Sequence, residues 1–119
     1  MKEGGATNET NLALGIEHLR RAVRIAEREG DSLPAQDEYD LVFIAVESEL
    51  RKAYESLNKL GRSFWSANRS VNRDRIGEIR QILTHDYAAL DRQTVWDIAR
   101  GEAPKLVHQL VKAKMGRSD

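Results

Sequence analysis

Cysteine and net charge are both absent from this chain of 119 residues. Without cysteine, the chain cannot form disulfides, thiolate nucleophiles or zinc sites with cysteine ligands, and it suits a reducing compartment. Nineteen basic and nineteen acidic side chains cancel, so binding to nucleic acid would require a local basic patch. We expect a cytoplasmic protein.

Long hydrophobic runs are absent as well. The longest run, LVFIAV at 41–46, is far shorter than the roughly 20 residues that a membrane-spanning helix needs. The N-terminal MKEGGATNETN lacks the apolar segment of a signal peptide. We therefore expect no membrane association, and a flexible stretch over residues 1–10.

Alternating strand patterns are missing, whereas apolar residues recur at spacings of three and four almost throughout. This predicts an all-α protein, a four- to five-helix up-and-down bundle in one domain over residues 1–119. A first helix should end near Gly30, with Ser32 capping a second helix that accepts Pro34 in its first turn. The short connection predicts antiparallel helices. Their apolar stripes are Leu12, Ile16, Leu19, Val23 and Ala26, and then Phe43, Val46, Leu50, Ala53, Leu57 and Leu60.

The second half of the chain is predicted to start with a loop, RSFWSANRSVN, whose Phe64 and Trp65 enter the core or a dimer contact. Asn72 then caps a third helix with Ile76, Ile79, Leu83, Tyr87 and Leu90 on one side. Asp91 caps a short helix that Gly101 closes, and Pro104 fits the first turn of a final helix. That last helix carries Leu106, Val107, Leu110 and Val111.

Arginine is concentrated between residues 61 and 85, where lysine is absent and the only acidic residues are Asp74 and Glu78. Arginine can bind phosphate with two parallel hydrogen bonds. We therefore interpret this basic zone as a phosphate-binding surface rather than as a solvated helix face. Its five members are Arg62, Arg69, Arg73, Arg75 and Arg80. Of these, Arg69, Arg73 and Arg75 are candidates for contacts with RNA.

The basic zone leads into RQILTHDY, in which Arg80, His85 and Tyr87 interrupt an apolar helical pattern. One interpretation is structural, with Arg80 paired to a carboxylate, a satisfied interior His85 and a core Tyr87. The other is a phosphate site. On a straight helix, residues five apart point about 140° away from one another. Cooperation would thus need either a helix break near residues 84–86, where Asp86 could cap a new helix, or two copies of the chain across a symmetric interface.

Arginine and histidine together suffice for one reaction in particular. Arginine stabilises a phosphodiester and its pentavalent transition state, while histidine exchanges a proton near neutral pH. This chemistry cleaves RNA without a metal ion through attack of the 2′-hydroxyl on the adjacent phosphate. The other histidines, His18 and His108, are distant in sequence, and neither metal-ligand spacing nor a glycine-rich phosphate loop is present. We expect no metal and no cofactor.

The segment RDRIGEIRQILTHDYAALDRQTVWDIARGEAPKL resembles the signature region of HepT-like toxins, a branch of the HEPN superfamily. The landmarks are Arg-x4-His-x-Tyr, an aspartate, a Val-Trp pair and an Ala-Pro-x-Leu turn. They fall on Arg80, His85 and Tyr87, on Asp91, on Val95 and Trp96, and on Ala103, Pro104 and Leu106. Two departures stand out: many relatives have Asn, Asp or His where this chain has Gln81, and a Gly-Glu-Ala landmark is replaced by ELRKAYESL at 49–57.

The resemblance implies a HEPN-like homodimer in which two Arg-His motifs share one cleft. Arg80 would hold the scissile phosphate of an RNA, either tRNA or mRNA, and His85 would act as acid or base, with Gln81 in support. It also implies a partner, a minimal nucleotidyltransferase (MNT) antitoxin that transfers AMP to Tyr87. The alternative function is a non-catalytic HEPN module that docks such a nucleotidyltransferase, and a third reading is a helical dimer without a site.

Overall fold

The computed structural model describes residues 3–29, 36–85 and 91–116, with side chains at 8–29, 41–84 and 91–116. The described chain is all-α, as predicted, with four long helices and two short ones arranged as a bundle. None of the described helices combines the length and hydrophobicity that a membrane span requires. The elements are α1 (Glu3–Glu29), α2 (Gln36–Asn58), α3 (Arg62–Ala67), α4 (Arg73–His85), α5 (Arg92–Asp97), a π-helical turn (Ile98–Glu102) and α6 (Ala103–Gly116).

The hairpin of α1 and α2 forms the larger part of the core. Near the start of α1, Asn8 accepts a hydrogen bond from the backbone N–H of Gly61, just beyond α2, at 2.8 Å. Further along α1, His18 Nδ1 lies 2.6 Å from Glu49 Oε1. Contacts that advance along α1 retreat along α2, so the helices are antiparallel, as predicted.

Both predicted stripes line this hairpin, and burial of each large aliphatic side chain contributes about 1.5–3 kcal/mol. The members of the α2 stripe are at most 5 % exposed, and in α1 only Val23 is partly buried rather than buried. The helix α1 begins at Glu3, so residues 3–10 are helical. The proposed Ser32 cap and Pro34 lie outside the described residues.

The segment after Gly61 differs from the predicted loop because part of it is helical. Phe64 and Trp65 drive this short helix, α3, since both are buried in the core and meet edge to face with ring centroids 5.1 Å apart. The indole N–H of Trp65 donates to the carbonyl of Leu60 at 2.8 Å. Serine and asparagine composition favoured a loop, but burial of two aromatic rings outweighs that weak local preference.

The helix α4 packs against α2 and begins as predicted. Asn72 Oδ1 accepts a hydrogen bond from the backbone N–H of Arg75 at 3.0 Å, which satisfies one free donor of the first turn. Ile76, Ile79 and Leu83 are almost fully buried. The predicted continuation of this stripe, Tyr87 and Leu90, lies outside the described residues.

The prediction that Gly101 closes a short helix is wrong. The helix passes without interruption from α5 through the π-helical turn into α6, and the N–H of Ala103 donates to the carbonyl of Ile98, five residues back. Pro104 explains this geometry: it has no N–H to donate and its ring would clash with the carbonyl four residues earlier in an α-helix. A wider turn accommodates the proline without ending the helix. Asp91 does cap α5, through a hydrogen bond from Gln93 N–H at 3.2 Å.

Candidate active site

Arg80 lies on the side of α4 that faces α2. Its Nη2 approaches Oε2 of Glu55 to 3.4 Å, and the two side chains are 36 % and 39 % exposed. The Nε of Arg80 has no hydrogen-bond partner within the described part of the chain. An ion pair this long and this open holds the guanidinium only loosely. Glu55 therefore orients Arg80, whose Nε is buried, while the rest of the guanidinium stays partly exposed and accessible to a ligand such as phosphate.

His85 is the last residue of α4, while its side chain and the whole of Tyr87 lie outside the described residues. The backbone is α-helical through 73–85. The Thr84 hydroxyl donates to the carbonyl of Arg80, one turn back, at 2.9 Å. Positions 80 and 85 thus face about 140° apart. No break precedes His85, and the predicted Asp86 cap lies outside the described residues.

Three arginines line an open cleft of about 570 Å3 between α3 and the start of α4. Arg62, Arg69 and Arg73 contribute positive charge, and Asp74 is the one acidic residue of the lining. The guanidinium of Arg73 lies 5.4 Å from the centroid of the Trp65 ring, a cation–π contact that holds it at the edge of the cleft. The cleft brings together two predicted RNA-binding residues and adds Arg62, which the charge pattern included but did not single out.

Arg75 lies in a different environment from the other arginines of the basic zone. Its Nε and Nη2 donate to the two carboxylate oxygens of Glu102 at 2.8 and 2.5 Å, and its Nη1 donates to Glu78 at 3.0 Å. These hydrogen bonds lower the pKa of the Glu102 carboxyl group. They also raise the pKa of Arg75. Two carboxylates therefore compensate its charge. Gln81, next to Arg80, is exposed.

A family model described as Ribonuclease HepT-like matches residues 16–113, which include all of the landmarks from Arg80 to Leu106. This chain belongs to the HepT-like ribonuclease family. The match confirms the resemblance found in the sequence. Comparisons with curated proteins and with solved structures gave no match.

In this HepT-like chain, the α2 segment ELRKAYESL at 49–57 lies beside Arg80. This segment supplies Arg51, Lys52, Glu55 and Ser56 to an open cleft of about 480 Å3, which is also lined by His18 of α1. Since Glu55 also pairs with Arg80, the cleft adjoins the candidate catalytic arginine. Sequence reasoning missed Glu55. The available signal was the spacing of Glu47, Arg51 and Glu55, four residues apart along one face of α2.

Glu47 is a second acidic residue that the sequence did not single out in this HepT-like chain. Its side chain is 1 % exposed, and its Oε2 lies 3.6 Å from Arg51 Nε without a hydrogen bond from any described residue. Burial raises the pKa of the Glu47 carboxyl group, and the charge of Arg51 only partly opposes that shift. Among the described residues, histidines and carboxylates form no group that could hold a metal ion.

Proposed function

We propose that this protein is the toxin of a toxin–antitoxin pair and cleaves RNA, either tRNA or mRNA, without a metal ion. The observation that carries the proposal is the HepT-like family match, which covers Arg80, His85 and Tyr87. The loosely held guanidinium of Arg80 supports it, because a phosphate can replace a long, solvated ion pair.

In the proposed reaction, the 2′-hydroxyl of the RNA attacks the adjacent phosphorus atom. The bond between O2′ and phosphorus forms as the bond to O5′ breaks, leaving a 2′,3′-cyclic phosphate and a 5′-hydroxyl end. His85 accepts the proton of the 2′-hydroxyl or donates one to O5′, and Arg80 stabilises the charge on the non-bridging oxygens. Water makes the other of these two proton transfers, so the proton lost from the 2′-hydroxyl is balanced by the one gained at O5′.

The arginine cleft, defined by Arg62, Arg69 and Arg73, would bind the RNA backbone on one side of Arg80. Residues seven apart on a helix differ by only about 20° in direction and about 10.5 Å in height, so Arg73 and Arg80 lie along the same face of α4. One strand can therefore contact both. Arg75 is committed to Glu102 and Glu78, and we assign it a structural role beside the RNA surface.

A homodimer would resolve the divergence of Arg80 and His85 on α4. Since the helix is continuous to His85, two motifs related by a two-fold axis can supply an arginine and a histidine to one cleft even though one copy directs them apart. The described surface offers an apolar face for such a contact: Leu41 is 80 % exposed and Ile44, one turn further along α2, is 40 % exposed.

We further propose that an MNT nucleotidyltransferase antitoxin inactivates the site by transferring AMP to Tyr87. The bond would form between the tyrosine oxygen and the α-phosphorus of ATP, with pyrophosphate as the leaving group. Added negative charge within seven residues of Arg80 would compete with RNA for the same cation.

The ribonuclease proposal is tested with a labelled RNA in the presence of EDTA. The parent should cleave, whereas Arg80→Ala and His85→Ala should each lose about 100-fold or more in rate with unchanged circular dichroism, because each removes a transition-state contact. His108→Ala is the matched control, since His108 is an exposed histidine of α6 that does not belong to the motif. Equal cleavage by the parent and both motif variants would rule the assignment out.

The antitoxin proposal has its own measurement, the mass of the protein after incubation with the nucleotidyltransferase and ATP. The parent should gain one or more AMP units and Tyr87→Phe none; an unchanged parent mass would refute it. Stable association with the nucleotidyltransferase without RNA cleavage or toxicity on expression would instead identify a non-catalytic docking module.

A further inference from the structure

A second, more apolar pocket lies where α4 meets α6 and the π-helical turn. It has a volume of about 230 Å3 and is enclosed by α2, α4, the π-helical turn and α6. Ile76, Ile79 and Leu106 form its apolar walls. Its polar lining consists of Tyr54, Asn72, Arg75, Glu102, Lys105 and Gln109.

Tyr54 gives this pocket a polar group that has no partner among the described residues. The side chain is 1 % exposed, and its hydroxyl forms no hydrogen bond with the described part of the chain. Burial raises the pKa of Tyr54, the charge of Glu102 adds to that shift and Arg75 opposes it, so the phenol oxygen lies near the charged pair that lines the pocket. A buried hydroxyl without a partner is destabilising, and phenylalanine would fill the same space without that cost. The hydroxyl is therefore available to a bound ligand or a water molecule.

The pocket and the arginine cleft share one lining residue, Asn72, so they are neighbours at the start of α4. Asn72 uses its Oδ1 to cap α4, which leaves its amide nitrogen to donate to a ligand. The π-helical turn contributes Glu102, and such turns often occur at functional sites. Arg75 is paired with Glu78 as well as Glu102, and the charge of Lys105 also acts on Glu102. Two carboxylates thus balance the two cations of the lining, so the pocket suits an uncharged polar group better than a phosphate.

We propose that this pocket binds one unstacked nucleobase of the RNA strand whose phosphates occupy the arginine cleft, and thereby selects the RNA sequence. This inference rests on the proposed function, in that it takes RNA as the substrate. The volume is below the roughly 300–1,000 Å3 of pockets for drug-sized ligands, which suits a single ring system. Apolar walls cover the base faces, while the Tyr54 hydroxyl and the Asn72 and Gln109 amides bind its edge, the mode by which proteins read single-stranded RNA.

The test measures binding rather than cleavage, with 2′-O-methyl oligonucleotides that cannot react. One set varies a single base among the four, and a matched oligonucleotide has an abasic position there. The parent should prefer one base over the abasic strand. Tyr54→Phe should reduce the affinity for that base about 2- to 12-fold, the worth of one hydrogen bond, and leave the abasic strand unaffected.

Two further variants complete the design. Gln109→Trp should abolish the preference by blocking the pocket, and it is an exposed position, so folding should be retained. His108→Ala, its exposed neighbour outside the lining, is the control and should bind like the parent. Without RNA, Tyr54→Phe should be at least as stable as the parent, because it removes a hydroxyl that has no partner.

Several results would overturn the inference. Unchanged base preference in both Tyr54→Phe and Gln109→Trp would show that the base does not bind in this pocket. A lower melting temperature of Tyr54→Phe would mean that the hydroxyl is satisfied within the folded protein, for example by bound water. Tighter binding of free nucleoside monophosphates than of oligonucleotides would identify a nucleotide site. Binding of neither oligonucleotide would refute both this inference and RNA as the substrate, whereas normal RNA cleavage without base preference would refute the inference alone.

Discussion

Gly15 should be a position where even one methyl group destabilises the helical hairpin. It is a buried residue of α1 that faces Leu57 of α2. A Cβ atom added there would lie 2.8 Å from Leu57 Cγ and closer still to Cδ2, nearer than carbon atoms approach in folded proteins. Leu57 is 0 % exposed, so its side chain cannot move into solvent to make room.

Two opposing effects set the magnitude for Gly15→Ala. Overpacking of a core costs about 1–3 kcal/mol. Alanine in a helix interior is favoured over glycine by about 0.8–1.0 kcal/mol. The difference is a net loss centred near 1 kcal/mol, which for a chain of this size corresponds to a fall of about 3–6 °C in melting temperature.

Gly77 of α4 provides the matched control. A Cβ atom there would meet nothing nearer than Asn58 Oδ1 at 3.9 Å, an ordinary contact. Gly77→Ala should therefore stabilise the protein by about 0.4–1 kcal/mol, because only the helix preference acts. Both variants can be followed by thermal and urea unfolding at one protein concentration, which matters if the chain self-associates. A Gly15→Ala protein as stable as Gly77→Ala would refute the reasoning.

Two further predictions concern acidic residues of α2. Burial raises the folded-state pKa of Glu47, so the contribution of this residue to folding is most favourable in acid and is lost as pH rises through that pKa. Glu47→Gln should therefore raise the free energy of unfolding more at pH 7 than at pH 4. A gain that does not depend on pH would contradict this. Glu55→Gln should hardly change the melting temperature, because the pair with Arg80 is open to solvent. It should free Arg80 and so tighten binding of a 2′-O-methyl RNA, measured by fluorescence anisotropy, up to about fivefold. Weaker binding would instead make Glu55 a residue that positions the arginine.

The helices could be predicted where the determining interactions are local. The stripe from Phe43 to Leu60 fixes which face of α2 is buried, because apolar spacing alone determines which side chains share a side of a helix. The caps at Asn72 and Asp91 were predicted for the same reason, since each side chain binds a backbone N–H only two or three residues away.

The errors arose where a longer-range contact outweighed a local preference. The segment from Arg62 to Ala67 has loop-like composition, yet Phe64 and Trp65 enter the core and the backbone coils into α3. At Gly101, glycine followed by Pro104 indicated a helix end. The buried faces on both sides of Gly101, with Ala99 and Ala103 each 0 % exposed, instead favour continuing the helix through a wider turn.

The site was only partly predictable, and the arginines of α4 show why. Arg73 and Arg75 are two residues apart and looked equivalent in the charge pattern. Glu102, 27 residues further along the chain, binds Arg75 with both of its oxygens, whereas Arg73 remains at the edge of the cleft over Trp65. A carboxylate so distant in sequence cannot be assigned to one arginine before the fold is known.

This pairing also explains how a chain without net charge can present a surface suited to RNA. Where carboxylates neutralise Arg75, the protein forms a pocket with apolar walls and a tyrosine hydroxyl that no described residue binds, properties that suit a base. Where Arg62, Arg69 and Arg73 line a cleft with a single acidic residue, it offers uncompensated charge, which suits phosphate. Because the two surfaces meet at Asn72, their opposite electrostatics match the two chemically different sides of a nucleotide strand. In the proposed function, the distribution of carboxylates, rather than the number of arginines, would therefore determine where RNA binds.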